Sequence, residues 1–214
     1  VGRLIDAQEY RHLAFERERF DDALLAELCA ECGRSVRIDT KQVLVQHCFV
    51  QRRVRPLDLY LGEAEEDEAG AMVLDYGQAI RDLARSNLFP GDLFVKNFGV
   101  TRSRRCVFYD YDEVSRITDL NFRRVPKART EEEEFADQPW YPIERGDVFP
   151  EHFPRFIDLS PQHRELFTRA HSELFDPDWW RDLQARLRRD PAGDVQPYPE
   201  RARLPPNREY RAPE

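Results

Sequence analysis

The chain has 214 residues, of which 41% are hydrophobic and 35% charged, and 41 acidic against 33 basic side chains give a net charge of −8. This length and apolar content are sufficient for one large or two small globular domains with a buried core. The negative charge argues against a general nucleic-acid-binding protein, and we expect no nucleic-acid partner.

Membrane insertion and export are also disfavoured by the sequence. No run of about eighteen consecutive apolar residues is present, so we expect no membrane-spanning helix and no membrane partner. The first ten residues, VGRLIDAQEY, carry neither the apolar centre of a signal peptide nor the bias of a transit peptide. We therefore expect a cytoplasmic protein.

The chain contains four cysteines, which are too few for a disulfide scaffold. Cys29 and Cys32 form a C-x-x-C pair, and His47 and Cys48 follow soon after, so zinc binding has to be considered. The first pair ends a predicted helix, whereas the second lies within a predicted strand. Ordinary buried thiols are the favoured interpretation, and metal binding stays open.

The first part of the chain is predicted to contain two helices followed by two strands. Helical spacing of apolar residues covers residues 7–32 and is interrupted at residues 20–22, where Asp21 or Asp22 can cap a second helix. The segments SVRID and VLVQHCFVQRRV are rich in valine and isoleucine, which predicts strands, and Pro56 ends the second of them.

A long helix is predicted over residues 65–87, because the segment begins with acidic residues and ends with arginines, as a helix dipole favours. Its apolar residues recur at helical spacing, so one face should be buried: Met72, Val73, Tyr76, Ile80, Leu83 and Ala84. The helix leads directly into a turn at Pro90 and Gly91.

Short strands are predicted next, at residues 93–95, 98–101 and 106–109, with the polar turn RSRR between the last two. Residues 123–155 contain five prolines and an acidic run, which predicts a long ordered loop. Helices are predicted at 161–175 and 177–189, and their core is expected to consist of Phe167, Leu174, Phe175, Trp179, Trp180, Leu183 and Leu187. We expect a flexible tail over residues 190–214.

The segment NLFPGDLFVKNFGVTRSRRCVFYDYDE, residues 87–113, places several carboxylates in apolar surroundings. Asn97 follows Asp92 by five positions, and Asp110 follows Asn97 by thirteen, across a hairpin that can return the chain to Asn97. Protein kinases use this arrangement. In such a site one carboxylate orients the attacking hydroxyl, while the amide oxygen and the second carboxylate hold Mg²⁺.

The alternative is that Asp92 caps a turn and that Asp110, Asp112 and Glu113 are surface residues of a hairpin. The combined spacing favours a kinase-like site. The segment differs from common kinases in two places: Phe-Pro-Gly stands where His-Arg usually precedes the aspartate, and Asp-Tyr-Asp stands where most kinases have Asp-Phe-Gly.

Several motifs resemble the bacterial isocitrate dehydrogenase kinase/phosphatase family: NLFPGD, KNFGVTR, VFYDYDE, QRRVRPLDLYL and PWYPIERGDVFPEHF. VGRLIDAQEY and ELFDPDWWRDLQARLR are similar to that family as well. The resemblance implies an α+β, protein-kinase-like fold. A remnant of the small-lobe sheet and the hinge would occupy residues 1–55, and a mostly helical large lobe residues 56–189.

The resemblance also implies an activity. Members of this family use ATP to phosphorylate a serine of isocitrate dehydrogenase, remove that phosphate and hydrolyse ATP, thereby controlling flux into the glyoxylate bypass. It implies ATP and Mg²⁺ (or Mn²⁺) as cofactors, and isocitrate dehydrogenase and adenine nucleotides as partners. A homodimer is also considered.

Carried over by motif, Asp92 becomes the catalytic-loop aspartate, Asn97 and Asp110 the metal ligands, and Lys96 a positive charge on the phosphate side. Asp112 and Glu113, which ordinary kinases lack, become candidates for activating water in the phosphatase direction.

Asp6 enters only through the resemblance. It lies in IDAQEY and is similar to a residue that the family assigns to the active site, chiefly for dephosphorylation. Taken alone, Asp6 would make a good N-cap for a helix starting at residue 7.

The other half of a kinase nucleotide site has no counterpart in the sequence. No G-x-G-x-x-G is present, and Lys41 lies in a turn between predicted strands. Because the resemblance covers the C-terminal part of the family, we expect a fragment with weak or no nucleotide turnover alone. Two alternatives are a non-catalytic module that grips a partner with residues 127–153, and a kinase-like phosphotransferase with another substrate.

Overall fold

The computed structural model describes residues 2–128, 130 and 139–190. The chain divides into two compact units. The smaller unit consists of Ile5–Arg53, and the larger one combines residues 2–4 with the described residues from Val54 onward.

The smaller unit contains a three-stranded antiparallel sheet and one helix. Its elements are β1 (Ala7–Glu16), α1 (Asp22–Cys32), β2 (Val36–Ile38) and β3 (Gln42–Gln51). The strand order is β1-β3-β2. Asp21 caps α1 as predicted, since its Oδ1 accepts a hydrogen bond from Leu24 N over 2.7 Å.

The helix predicted to begin at residue 7 is wrong, because residues 7–16 form strand β1. Pairing with β3 instead satisfies the backbone of this segment and places Leu13 opposite Val45 and Phe15 opposite Val43. Non-local pairing therefore decides its structure.

The larger unit contains five helices and seven strands among its described residues. The helices are α2 (Leu57–Glu63), α3 (Glu66–Arg85), α4 (Phe153–Phe156), α5 (Pro161–His171) and α6 (Pro177–Arg189). The strands are β4 (Arg55–Pro56), β5 (Leu88–Phe89), β6 (Phe98–Val100), β7 (Cys106–Phe108), β8 (Ser115–Arg116), β9 (Asn121–Phe122) and β10 (Asp147–Val148).

Three small sheets support the loops between these helices. Strands β4, β6 and β7 form an antiparallel sheet with β6 in the centre, β5 pairs antiparallel with β8, and β9 pairs parallel with β10. Leu4 adds a parallel bridge to Phe108 on β7.

Helix α3 is the centre of the core of the larger unit. All six apolar residues that the spacing predicts to be buried are buried. The Tyr76 ring packs edge-on against Phe98, with centroids 4.8 Å apart, and also contacts Phe167 of α5. Through Tyr76, helix α3 therefore packs against both strand β6 and helix α5.

The two C-terminal helices are confirmed, the first of them ending in a 3₁₀ turn at Ser172–Phe175. Trp180 is fully buried and stacks on Phe122 with centroids 4.9 Å apart. The other residues predicted for this core are buried or, for Phe175 and Trp179, half-buried against it.

Other predicted boundaries need correction. Residues 57–63 form helix α2, which the sequence did not indicate, and the strand predicted at 93–95 is absent, because Val95–Asn97 form a 3₁₀ turn. The predicted loop at 123–155 contains β10 and α4. Its residues 129 and 131–138, and the predicted tail at 191–214, lie outside the described part of the chain.

Within the described ranges, every helix is too short or too polar to cross a lipid bilayer. The cysteines are free. The prediction of buried thiols fails for Cys29 and Cys32, which are exposed at the end of α1, whereas Cys48 is half-buried. No group of three or more His, Cys, Asp or Glu side chains placed to hold a metal occurs among the described residues.

Candidate active site

The turn at Pro90 and Gly91 presents Asp92 at the start of the candidate catalytic loop. Gly91 has a φ of +89°, in the left-handed region that glycine adopts most readily. Asp92 Oδ1 accepts hydrogen bonds from Phe94 N over 3.2 Å and from Asn97 Nδ2 over 2.5 Å. Both bonds reach the same oxygen, so Oδ2 is available to a reacting group.

Asn97 connects the catalytic loop to the hairpin. It is 6% exposed, ends the 3₁₀ turn Val95–Asn97, and accepts at its backbone oxygen a hydrogen bond from Tyr109 N over 3.2 Å. The hydroxyl of Tyr109 also donates to the carbonyl of Lys96. The hairpin β6–β7 therefore returns the chain to Asn97, and Asp110 follows directly.

Tyr76 of helix α3 supports the catalytic loop. Its hydroxyl donates a hydrogen bond to the carbonyl of Leu93. Burial raises the pKa of Tyr76 well above its usual value, and the negative charge of Asp92 acts in the same direction, so the hydroxyl keeps its proton. The sequence predicted Tyr76 as a core residue, and nothing in the helical spacing indicated that it also contacts the catalytic loop.

Asn87 fixes the beginning of the segment. It has a φ of +61°, and its side chain accepts from Thr118 N over 3.0 Å and donates to Thr118 Oγ1 over 3.2 Å. The stretch between Asn87 and the hairpin is thus tied at both ends.

The three acidic residues after β7 differ in their surroundings. Asp110 is half-buried, whereas Asp112 and Glu113 are exposed. Glu113 nevertheless packs on the turn before Asp92: a Cβ added at Gly91 would lie 2.5 Å from Glu113 Cβ and 3.2 Å from Glu113 Oε2. The Asp-Tyr-Asp-Glu segment therefore folds back onto the catalytic loop.

Lys96 is exposed beside the loop, with its Nζ 5.1 Å from the centroid of the Phe94 ring. The Phe94 ring also packs edge-on against Phe156 of α4. No carboxylate of the described residues pairs with the ammonium group of Lys96, so this group can meet an anion.

Asp6 lies in the smaller unit, immediately before β1. It is exposed, and Gln8 Nε2 donates to its Oδ2 over 3.5 Å. Because residues 7–16 form a strand, Asp6 does not cap a helix. Its catalytic role stays a prediction.

The donor groups of Asn97 and Asp110 are suited to Mg²⁺. The amide nitrogen of Asn97 donates to Asp92, and its Oδ1 accepts no hydrogen bond from the residues that the structure describes. The carboxylate of Asp110 accepts no hydrogen bond from the described residues. Both are hard oxygen ligands, and Mg²⁺ commonly binds through one or two protein side chains while keeping waters.

Comparison with known proteins identifies the family of the chain. Residues 1–200 match the profile of the isocitrate dehydrogenase kinase/phosphatase (AceK) kinase domain. The chain belongs to this family. The match covers both units and includes every candidate site residue.

Individual relatives agree with the family match. An isocitrate dehydrogenase kinase/phosphatase of Xanthomonas euvesicatoria pv. vesicatoria (strain 85-10) is 53% identical over 204 residues, which cover 95% of this chain and 35% of the relative. Proteins of the same name from Anaeromyxobacter sp. (strain Fw109-5) and Anaeromyxobacter dehalogenans (strain 2CP-C) are 46% and 49% identical, and the aligned parts cover 36% and 37% of their lengths. The chain thus spans about a third of the curated relatives that it matches.

Proposed function

We propose that this chain forms the catalytic part of a serine kinase/phosphatase that acts on isocitrate dehydrogenase, and that its larger unit resembles the large lobe of a protein kinase. The observation that supports this most is the pairing of Asp92 with Asn97, with the chain returning to Asn97 through the Tyr109 backbone bond. The described part of the larger unit combines helices with short strands, which agrees with such a lobe.

In the kinase direction, Asp92 Oδ2 orients the serine hydroxyl and accepts its proton as the phosphoryl group is transferred. The Asn97 amide keeps the carboxylate in this orientation by holding Oδ1. Phosphoryl transfer depends mainly on positioning and charge neutralisation, so these groups match the chemistry that the reaction needs.

The cofactors we propose are ATP and Mg²⁺ (or Mn²⁺). Asn97 Oδ1 and Asp110 would hold the metal, and Lys96 would approach the phosphates. The bound ion would neutralise the charge of the phosphates as the phosphoryl group passes from ATP to the serine hydroxyl. The homodimer considered from the sequence is not part of this proposal.

In the phosphatase direction, Glu113 and Asp112 are proposed to orient water. The contact of Glu113 with Gly91 supports this, because it brings a second carboxylate close to the loop that presents Asp92. Asp6 is proposed to act in the same direction, on the strength of the family resemblance alone.

A chimera tests the proposal. The 204 aligned residues of the Xanthomonas euvesicatoria relative are replaced by this chain, and transfer of labelled γ-phosphate from ATP to isocitrate dehydrogenase is measured. We expect transfer by the chimera and weak or no transfer by the 214-residue chain alone. Asp92→Asn should lower transfer by about 10²–10⁴-fold. The control Asp158→Asn, which changes an exposed acid, should not.

Release of phosphate from phosphorylated isocitrate dehydrogenase tests the second direction. Asp112→Asn and Asp6→Asn should lower release more than transfer. Equal losses in both directions would contradict the separate role of these acids. Full phosphate transfer by Asp92→Asn would contradict the kinase assignment itself, and would favour a partner-binding module or a different substrate.

A further inference from the structure

Arg3 is a buried cation that joins helix α3 to strand β7. It is 4% exposed. Its Nη1 and Nη2 donate to the two oxygens of Asp75, each over 2.7 Å, and its Nε donates to Asp82 Oδ2 over 2.8 Å. Nη1 also donates to the carbonyl of Cys106 over 2.9 Å. A planar guanidinium can serve these partners at once, whereas an ammonium group cannot.

The same residues bond the outer edge of β7. Asp75 Oδ2 accepts from Cys106 N over 2.7 Å, and the carbonyl of Arg3 accepts from Phe108 N over 2.7 Å. Leu4 pairs with Phe108. Backbone groups of β7 that do not pair with β6 are thereby satisfied. A strand that is hydrogen-bonded along both of its edges has little freedom to shift.

Strand β7 determines where Asp110 lies. The chain leaves β7 at Phe108, and Tyr109 N donates to the Asn97 carbonyl before Asp110 follows. A displacement of β7 along α3 would therefore move the Asp110 carboxylate relative to Asn97 Oδ1. Metal ligands must stay within about 0.5 Å of their productive geometry, so such a displacement would weaken binding.

We propose that Arg3 is a positioning residue for the metal ligands Asn97 and Asp110. It contacts neither ligand and acts through β7, whose first residue it holds against α3. This inference rests on the proposed function, in which those two side chains hold the metal. Arg3 lies about ninety residues before the catalytic loop, and no motif connects the two.

Manganese titration of the 214-residue chain, followed by electron paramagnetic resonance, tests the proposal. The variants are Arg3→Met and Arg3→Lys. The matched control is Arg81→Met, because Arg81 of α3 forms a half-buried ion pair with Glu173, 3.1 Å away, instead of with a residue bonded to β7. All variants are also compared by thermal unfolding.

We expect Arg3→Met to raise the dissociation constant for Mn²⁺ by about 10–100-fold, as loss of a partner that orients a metal ligand typically does. Arg3→Lys should raise the dissociation constant less, since lysine keeps the positive charge but lacks the planar guanidinium group that bonds several partners at once. Arg81→Met should lower the melting temperature without changing Mn²⁺ affinity. Unchanged affinity in both Arg3 variants would overturn the proposal and leave Arg3 with a structural role only.

Amide hydrogen exchange of residues 106–113 provides a readout that does not need metal. Exchange there should be faster in Arg3→Lys and in any folded Arg3→Met than in the wild type and Arg81→Met. If the wild type binds no Mn²⁺, the proposed metal site is wrong, and exchange alone decides whether Arg3 positions the hairpin. Unchanged exchange in Arg3→Lys would then overturn the inference.

Discussion

The side-chain amide of Asn97 donates to Asp92 Oδ1 over 2.5 Å, so the donor half of this amide is used inside the loop and its oxygen is left free. One residue can thereby orient the catalytic aspartate and bind a metal. The two roles use different atoms and can be separated by mutation.

Asn97→Asp separates these roles, because it keeps an oxygen ligand and removes the N–H donor. Two carboxylates would then face each other across the loop, which disfavours ionisation of both. We expect phosphate transfer by the chimera to fall about 100-fold, the lower end of what misplacing a general base costs. Mn²⁺ affinity should stay within a few-fold of wild type.

Asn121→Asp is the control for this change, because Asn121 also donates to an aspartate over 2.8 Å, but to Asp147 instead of Asp92. It should leave transfer unchanged. Wild-type transfer by Asn97→Asp would show that the bond to Asp92 has no role in catalysis.

Gly91→Ala should lower the phosphatase and kinase rates by different amounts. The added Cβ would lie 2.5 Å from Glu113 Cβ, and alanine is strained at a φ of +89°. Glu113 and the segment that carries it must therefore move. We expect release of phosphate from isocitrate dehydrogenase to fall further than transfer from ATP, with both rates measured on the chimera.

Gly62→Ala provides the comparison, because a Cβ there meets nothing within 4 Å. This substitution in α2 should leave both rates unchanged and stabilise the fold by about 0.4–1 kcal/mol. Equal losses of both activities in Gly91→Ala would contradict a specific role of Glu113 in phosphate release and would mean that its contact with Gly91 only maintains the loop structure.

Tyr76→Phe tests the support beneath the catalytic loop. The change leaves the buried carbonyl of Leu93 without its hydroxyl donor. We expect the free energy of unfolding to fall by about 1–3 kcal/mol in urea denaturation. Tyr10→Phe, which removes an exposed bond to Gln8, should change it by less than about 0.5 kcal/mol. Similar small effects of both would contradict the supporting role of Tyr76.

Asp75 makes stability depend on pH. Burial opposes ionisation of Asp75, but hydrogen bonds from Arg3 and from Cys106 N outweigh it and hold the pKa of this carboxyl below its usual value. The depressed pKa adds stability above the unfolded-state value of about 3.9, and that stability is lost as the pH falls through the lower folded-state value.

The stability difference between wild type and Asp75→Asn should therefore be largest near neutral pH and shrink below about pH 4. Urea denaturation across this range measures it. Asp158→Asn, at an exposed position, should show a small difference throughout. A difference in the free energy of unfolding between wild type and Asp75→Asn that stays constant with pH would contradict the charge-based account.

Local patterns were sufficient to predict much of the larger unit. The apolar residues of α3 recur at 3.6-residue spacing and are buried, and the acids at its start and the arginine at its end agree with its dipole. The spacing of Asp92, Asn97 and Asp110 predicted that the hairpin returns to the loop, and the Tyr109 bond to Asn97 confirms that return.

Contacts between distant segments could not be predicted in this way. Residues 7–16 have a helix-like pattern, yet pairing with β3 makes them a strand. Arg3 and Asp75 bond across 72 positions, and the packing of Glu113 on Gly91 depends on a backbone conformation that no spacing encodes. These features follow from tertiary packing, which local propensity does not determine.

The most direct test of the central claim is phosphate transfer from ATP to isocitrate dehydrogenase by the chimera carrying Asp110→Ala. If Asn97 and Asp110 hold the metal, transfer should fall by about 10³-fold or more while binding of isocitrate dehydrogenase is retained. Transfer at the wild-type rate would contradict the account, because Asp110 would then not be needed to hold the metal.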